Sequence, residues 1–364
     1  MTRVAAIDCG TNSIRLLVAE ANRETGEIKD LDRRMKIVRL GQDVDRTGRL
    51  APEALERTFA ACREYAEVIR ELGAEKVRFV ATSASRDAEN RAEFVRGVRD
   101  VLGVEPEVIS GDDEAEFSFT GATKELAGRD DLDQPYLVVD IGGGSTEFVV
   151  GSQHAHPSPT TTLNGGPSGR GQVSSPTTTL NGGPSGRGQV PSPTTLNGGP
   201  SGRGHVFAAR SVDIGCVRMT ERHLVRDGRV SDPPTPDQIA AMRADIAAAL
   251  DLAAETVPLE RARTLVGLAG SVTTVAAIAL GLREYDSSAI HHSRIGIDQV
   301  REITGRLLAS THAERAAIPV LHPGRVDVIG AGALVLLMIM ERVGAEQVVV
   351  SEHDILDGIA WSVL

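Results

Sequence analysis

Short apolar runs rich in β-branched residues alternate along the chain with longer segments whose apolar residues recur every three or four positions. The runs at 3–8, 14–20, 35–40, 77–81, 137–140, 147–150, 206–213, 264–268 and 347–350 read as strands. Helical spacing fits 52–72, where Ala54, Leu55, Phe59, Cys62, Ala66 and Ile69 share a face. It also fits 90–102, 112–126, 216–224, 235–254, 272–280, 298–308, 325–342 and a closing segment from Ile355. Strands alternating with helices predict an α/β fold.

Two strand-to-strand turns carry candidate chemistry. In 137–150, LVVDIGGGSTEFVV, a buried-strand pattern ends at Asp140 and passes through Gly142, Gly143 and Gly144 before a second strand. Three glycines let backbone N–H groups converge on an anion, Ser145 and Thr146 add hydroxyls, and Asp140 and Glu147 bracket the turn as hard oxygen ligands of the kind Mg²⁺ takes. The N-terminus repeats the arrangement, with Asp8 at a strand end, then Gly10, Thr11, Asn12 and Ser13, and a returning strand bearing Arg15. Two acid-tipped hairpins are far more specific than either alone. A third contact for phosphate or nucleotide is expected at Gly270 and Ser271, between a strand and a helix start whose N–H groups are free.

Composition narrows the ligand. The chain's 364 residues suffice for two domains with real cores. Aromatics at 3% and a net charge of −11 argue against a nucleic-acid surface or a membrane-binding one, so a polyanion has to be met locally. Arginine greatly outnumbers lysine, and its planar fork suits phosphate. Three cysteines without a CxxC pair fit a reducing compartment. The apolar run at 328–340 is too short to span a bilayer and no signal peptide is visible, so a soluble cytoplasmic protein is the expectation. Neither a GxxxxGK[ST] motif nor metal-ligand spacing among His291, His292 and His322 is present. Residues 152–205 hold three near-tandem copies of a Gly, Pro, Ser and Thr-rich unit such as SPTTTLNGGPSGRGQV, read as a disordered insertion between two strands.

Seven stretches in order, AAIDCGTNSIRLL (5–17), ATSASRDAEN (81–90), ISGDDEAEFSFTG (109–121), VVDIGGGSTEF (138–148), SVDIGCVRMTER (211–222), GLAGSVTT (267–274) and RVDVIGAGA (325–333), resemble the exopolyphosphatase and guanosine pentaphosphate phosphohydrolase (Ppx/GppA) family. This family lies within the actin, Hsp70 and sugar kinase superfamily. The resemblance covers nearly the whole chain except the insertion, and looks like the compact two-domain actinobacterial members. It implies two ribonuclease-H-like domains, at about 1–130 and 131–364, around a central cleft. It also implies Mg²⁺-dependent release of the terminal phosphate of inorganic polyphosphate, or of the 5′-phosphate of guanosine pentaphosphate. A phosphotransferase and a non-catalytic polyphosphate or alarmone sensor are the competing classes, and a homodimer is left open.

By the same resemblance Glu114 would activate the water and Arg86 would neutralise charge developing on the phosphoryl group. The competing roles are helix capping for Glu114 and a surface ion pair with Asp87 or Glu89 for Arg86. Asn12, Ser13, Arg15, Gly143, Gly144, Ser145 and Thr146 would bind chain phosphates, with Gly270 and Ser271 meeting distal ones. Asp140 and Glu147 would hold the metal, with Asp8 a weaker third ligand.

Overall fold

A computed structural model describes residues 1–22, 27–126, 129–153, 204–226 and 229–364. The repeat insertion lies outside them, apart from its flanking residues 152–153 and 204–205. Strands β1 (Thr2–Cys9), β2 (Ser13–Ala21), β3 (Ile28–Ile37), β4 (Lys76–Ala81) and β5 (Glu107–Val108) form one sheet in the order β3-β2-β1-β4-β5. The second sheet holds β6 (Tyr136–Ile141), β7 (Thr146–Ser152) and β8 (His205–Val212). After a small ribbon of β9 (Val225–Arg226) and β10 (Arg229–Val230), it is completed by β11 (Thr264–Leu268), β12 (Arg294–Gly296) and β13 (Gln347–Val350), in the order β12-β13-β11-β6-β7-β8. In each sheet an antiparallel three-strand meander continues into parallel strands, β1 beside β4 and β6 beside β11. The α/β fold therefore contains one five-strand topology twice, with β12 added antiparallel at the edge of the second sheet.

Both faces of each sheet are covered, and strand alternation decides what lies where. On β1, Ala5, Ile7 and Cys9 face a core shared with Leu55, Cys62 and Tyr65 of the helix Pro52–Glu71 and with Phe94 and Val98 of the helix Arg91–Leu102. Val4 and Ala6 face the other way, against Ile355, Leu356, Ile359 and Ala360 of the closing helix Ile355–Ser362. On β6, Leu137, Val139 and Ile141 join the large core under the helices Pro236–Ala254, Ala269–Ala279, Ile297–Ala309 and Ile329–Val343. Tyr136 and Val138 face Ala115, Phe119 and Ala122 of the helix Gly111–Thr123.

The helices Gly111–Thr123 and Ile355–Ser362 also cross each other at glycines. A Cβ on Gly121 would come within 1.9 Å of the Asp354 carbonyl oxygen, and one on Gly358 within 2.1 Å of the Phe117 carbonyl oxygen. Thus the last helix leaves the second sheet to pack on the first, and the helix after β5 packs on the second. No helix of the described residues is long and apolar enough to cross a membrane.

Helix boundaries fall within a few residues of the apolar pattern. The segment 82–87 departs from it by closing into a short helix, Ser83–Asp87. Strand β3 departs more, beginning seven residues before the predicted run at residue 35. Its charged sequence IKDLDRRMKI conceals it, because it is an edge strand and charges protect an open edge from pairing with other chains.

Candidate active site

The two acid-tipped hairpins have one construction. In β1–β2 the register places Asp8 opposite Arg15, and in β6–β7 it places Asp140 opposite Glu147. Each four-residue loop is closed by one backbone bond, Gly10 N–H to Ser13 O at 2.9 Å and Gly142 N–H to Ser145 O at 3.1 Å. In the first loop the carbonyls of Thr11 and Asn12 accept from Val38, Arg39 and Gly41. In the second, the carbonyls of Gly142, Gly143 and Gly144 accept from residues 215–218 at the start of the helix Cys216–Leu224. These bonds tie both loops to their supports. Gly215 is required for this fit, since a Cβ there would lie 2.3 Å from the Gly143 carbonyl group.

Alternation sets which side chains meet. Asp8 and Arg15 lie on the face that the closing helix covers, and Arg15 bonds both Asp8, at 2.7 and 2.9 Å, and Asp354, the cap of that helix. Asp140 and Glu147 lie on the face covered by the helix Gly111–Thr123. Ser118 of that helix donates to Asp140 Oδ2 at 2.7 Å, and Ser211 of β8 donates to Glu147 Oε1 at 2.8 Å. Glu114 lies one turn before Ser118 and so shares its face.

Glu114 has no capping duty. Ser110 and Asp113 form the capping box, while Asp112 and Asp113 are exposed and Glu114 is buried. Arg86 donates to the Glu114 carboxylate at 3.3 Å and to the Ile109 carbonyl at 2.9 Å. The acids that compete for Arg86 on the sequence are engaged elsewhere, Asp87 by Arg218 and Glu89 by Arg49.

The cleft is lined by Asp8, Asn12, Ser13, Arg15, Glu114, Asp140, Gly143, Gly144, Ser145, Gly270 and Ser271 among the predicted residues. Arg86 and Glu147 stand behind this lining, each bonded to a neighbour as described. Thr146 departs from its expected place. It sits opposite in alternation to Glu147, so its hydroxyl is turned away from the cleft and donates to the Ile214 carbonyl at 3.2 Å. Sequence reading missed Asp354, Ser118, Ser211 and Arg325, which reach the site only through packing. Ala269 at the third turn holds φ at +65°, a strained value for a residue with a Cβ and one that recurs at functional sites.

Electrostatics separate the two hairpins. Arg15 neutralises Asp8, whereas Asp140 and Glu147 are two acids directly opposite one another, which repel. Burial and then neighbouring acids push Asp140 up to about 7 and Glu147 up to about 8. Glu114 is raised well above the carboxylate range by burial and then by Glu147. These buried carboxylates form an all-oxygen donor set with excess negative charge, which fits a hard divalent cation. Asp8 is the poorer ligand because Arg15 already holds its Oδ2.

The histidines take structural positions. His322 caps the turn Pro323–Arg325 by accepting from Gly324 N–H at 3.0 Å. Packing does assemble Glu125, His291 and His353, far apart in the chain, with candidate ligand atoms within 4.8 Å. The Nδ1 of His291 accepts from Glu352 N–H, so the neutral ring carries its proton on Nε2, toward Glu125 at 3.0 Å. The His291 and His353 rings also stack, so an ion in the plane of one is out of the plane of the other. The cluster is built for hydrogen bonding.

Two sheets that share a five-strand topology around an acid-rich cleft give the chain the actin-like ATPase fold. The sequence model of the Ppx/GppA phosphatase family matches residues 17–163 and 201–364, and the chain belongs to that family. It is 44% identical over 373 aligned positions to Exopolyphosphatase 2 of Mycobacterium tuberculosis, covering 100% of this chain and 98% of that protein. It is 26% identical to a guanosine-5′-triphosphate,3′-diphosphate pyrophosphatase of Aeromonas hydrophila, covering 99% of this chain but 59% of that protein. Among solved structures, an exopolyphosphatase-like protein superposes with a TM-score of 0.82 at 41% identity, over 99% of this chain and 97% of that one. The Aquifex aeolicus PPX-GPPA enzyme gives 0.69 at 26% identity, over 99% of both chains.

Proposed function

We propose that this phosphatase is an exopolyphosphatase that releases orthophosphate from the end of inorganic polyphosphate, with Mg²⁺ held by Asp140 and Glu147. The observation that carries the reading is the buried Glu114, free of capping duty, held by Arg86 and facing Asp140 and Glu147. Full-length similarity to an exopolyphosphatase supports the choice of substrate.

Hydrolysis of a terminal phosphoanhydride needs an in-line water, a group to take its proton and positive charge around the phosphoryl group. The amide edges of the two loops and Arg15 would hold the chain phosphates between the hairpins. Glu114 would accept the proton of the attacking water, and burial beside Glu147 raises its proton affinity, which makes it a stronger base than an exposed carboxylate. Arg86 aims that carboxylate and adds a positive charge beside the reacting group. When bound, Mg²⁺ would supply charge neutralisation at the phosphoryl oxygens.

The test is orthophosphate release with Mg²⁺ from inorganic polyphosphate and from guanosine pentaphosphate, compared by kcat/KM. The reading predicts the higher value for polyphosphate. A higher value for the nucleotide would select the activity named in the Aeromonas relative, and no free phosphate from either would remove hydrolysis altogether.

A further inference from the structure

The helix Cys216–Leu224 ties the second loop to elements of the first sheet, and one buried arginine is at the centre of the tie. Arg218, Glu221 and Arg222 lie three and four residues apart and so share a helix face. That face meets residues 43–45, at the start of the short helix Val44–Thr47, and Asp87, at the end of the helix Ser83–Asp87 that follows β4. Arg218 is only 8% exposed. Its guanidinium meets Asp45 at 3.0 Å and Asp87 at 2.5 Å across the junction, and Asp213 at 2.6 Å on its own side. Glu221 accepts from Asp43 N–H with both carboxylate oxygens, each at 3.1 Å, and Arg222 adds a second bond to Asp45 at 3.1 Å.

Both ends of this clasp adjoin the site. Asp87 directly follows Arg86, whose guanidinium holds Glu114 Oε2 at 3.3 Å. At the other end the N–H groups of Val217 and Arg218 donate to the Gly143 carbonyl at 2.9 and 3.1 Å, so the backbone of the same arginine carries the second loop. The two sides touch between these points, since a Cβ on Gly144 would collide with Thr11 Oγ1 and with Ser83 Oγ, in the helix that bears Arg86. Arg218 itself lies outside the lining of the cleft. Without its charge, Asp45 and Asp87 on one side would face Asp213 on the other with no cation shared among them, and the junction would be pushed apart.

We propose that Arg218 is a positioning residue for hydrolysis, setting the distance between the Arg86–Glu114 pair and the loop of Gly142, Gly143 and Gly144 without touching substrate. The inference rests on the reading of Glu114 as the base. In-line attack needs the water and the phosphoryl group close to contact, and a misplacement of about 1 Å costs about 10²-fold in rate. Such a residue acts on kcat by way of Arg86. A single ammonium does not replace it, because several carboxylates around one cation call for the planar fork of arginine.

The experiment is phosphate release with Mg²⁺ from long-chain polyphosphate by the full-length wild type, R218Q, R218K, D87N, D213N, R86Q, R86Q/R218Q and E114Q, each with a thermal melt. R218Q should lower kcat by about 10- to 100-fold with KM within about threefold, and R218K should recover part of the loss. On the R86Q background the R218Q change should cost less than about threefold, because the group it positions is already gone. D87N, which breaks the crossing contact, should lower kcat in the same direction, whereas D213N, which breaks a contact within one side, should stay within about twofold of the wild type. If R218Q unfolds, D87N against D213N decides the matter, since each leaves Arg218 with two acids. Equal kcat for D87N and D213N, or the full R218Q loss repeated on R86Q, would reduce Arg218 to a support of the fold and overturn the proposal. A rise in KM at constant kcat would overturn it too. Failure of the underlying reading appears separately, as an E114Q rate equal to that of the wild type.

Discussion

Asp140 and Glu147 differ from their counterparts Asp8 and Arg15 by one side chain, and that difference gives the second hairpin its chemistry. An acid opposite an arginine is self-neutralised, whereas an acid opposite an acid calls for an external cation. Removing one charge from the pair should therefore relax that need. D140N and E147Q are each predicted to raise the Mg²⁺ concentration for half-maximal phosphate release at least ~10-fold, the size of losing one ligand contact, as read from a Mg²⁺ titration at saturating polyphosphate. An unaltered titration would place the metal elsewhere. The acids themselves were readable from spacing, because a strand that ends in Asp and resumes at Glu after a glycine turn leaves few registers. Asp354 was not readable, lying 339 residues from the arginine it neutralises.

At the scale of elements, the crossing of the helices Gly111–Thr123 and Ile355–Ser362 links the two hairpins. One carries Glu114 and Ser118 to the second hairpin, and the other is capped by Asp354 at the first. The contact is backbone to backbone at Gly121 and Gly358, so a methyl group has no flexible side chain to displace. G121A is predicted to destabilise the fold by about 1–3 kcal/mol through overpacking and to lower the melting temperature by several degrees. A melt indistinguishable from the wild type would show that the crossing yields easily. Helices with a clean apolar stripe, such as Pro52–Glu71, were legible from periodicity. Strand β3 was hidden because edge protection replaces its apolar residues with charge, and the crossing was hidden because glycines carry no hydrophobic signal.

On the scale of the whole molecule, two sheets that share a five-strand topology face one cleft, and we propose a domain boundary near residue 130, with the closing helix returning to the first sheet. The duplicated hairpins made this architecture visible in the sequence, while the pairing of each hairpin with a helix from the other half needed the three-dimensional structure. The cleft also sets how stability depends on pH. Because the folded pKa values of Asp140 and Glu147, about 7 and about 8, lie above ordinary carboxylate values, the folded state holds more protons than the unfolded state between pH 4 and 8. The metal-free protein should therefore lose stability as pH rises through that window, and Mg²⁺ should restore it by binding only the folded form. Thermal melts at pH 5 and pH 8, in EDTA and in Mg²⁺, check this. A flat profile in EDTA would mean that burial does not raise the two acids as described.

The most direct test of the central claim, that Glu114 drives water at a polyphosphate end, is single-turnover phosphate release by wild type and E114Q at saturating Mg²⁺, beside equilibrium binding of polyphosphate. A general base contributes about 10²- to 10⁴-fold, so E114Q should lose that much rate while binding polyphosphate within a few-fold of the wild type. Equal rates for the two proteins would contradict the account.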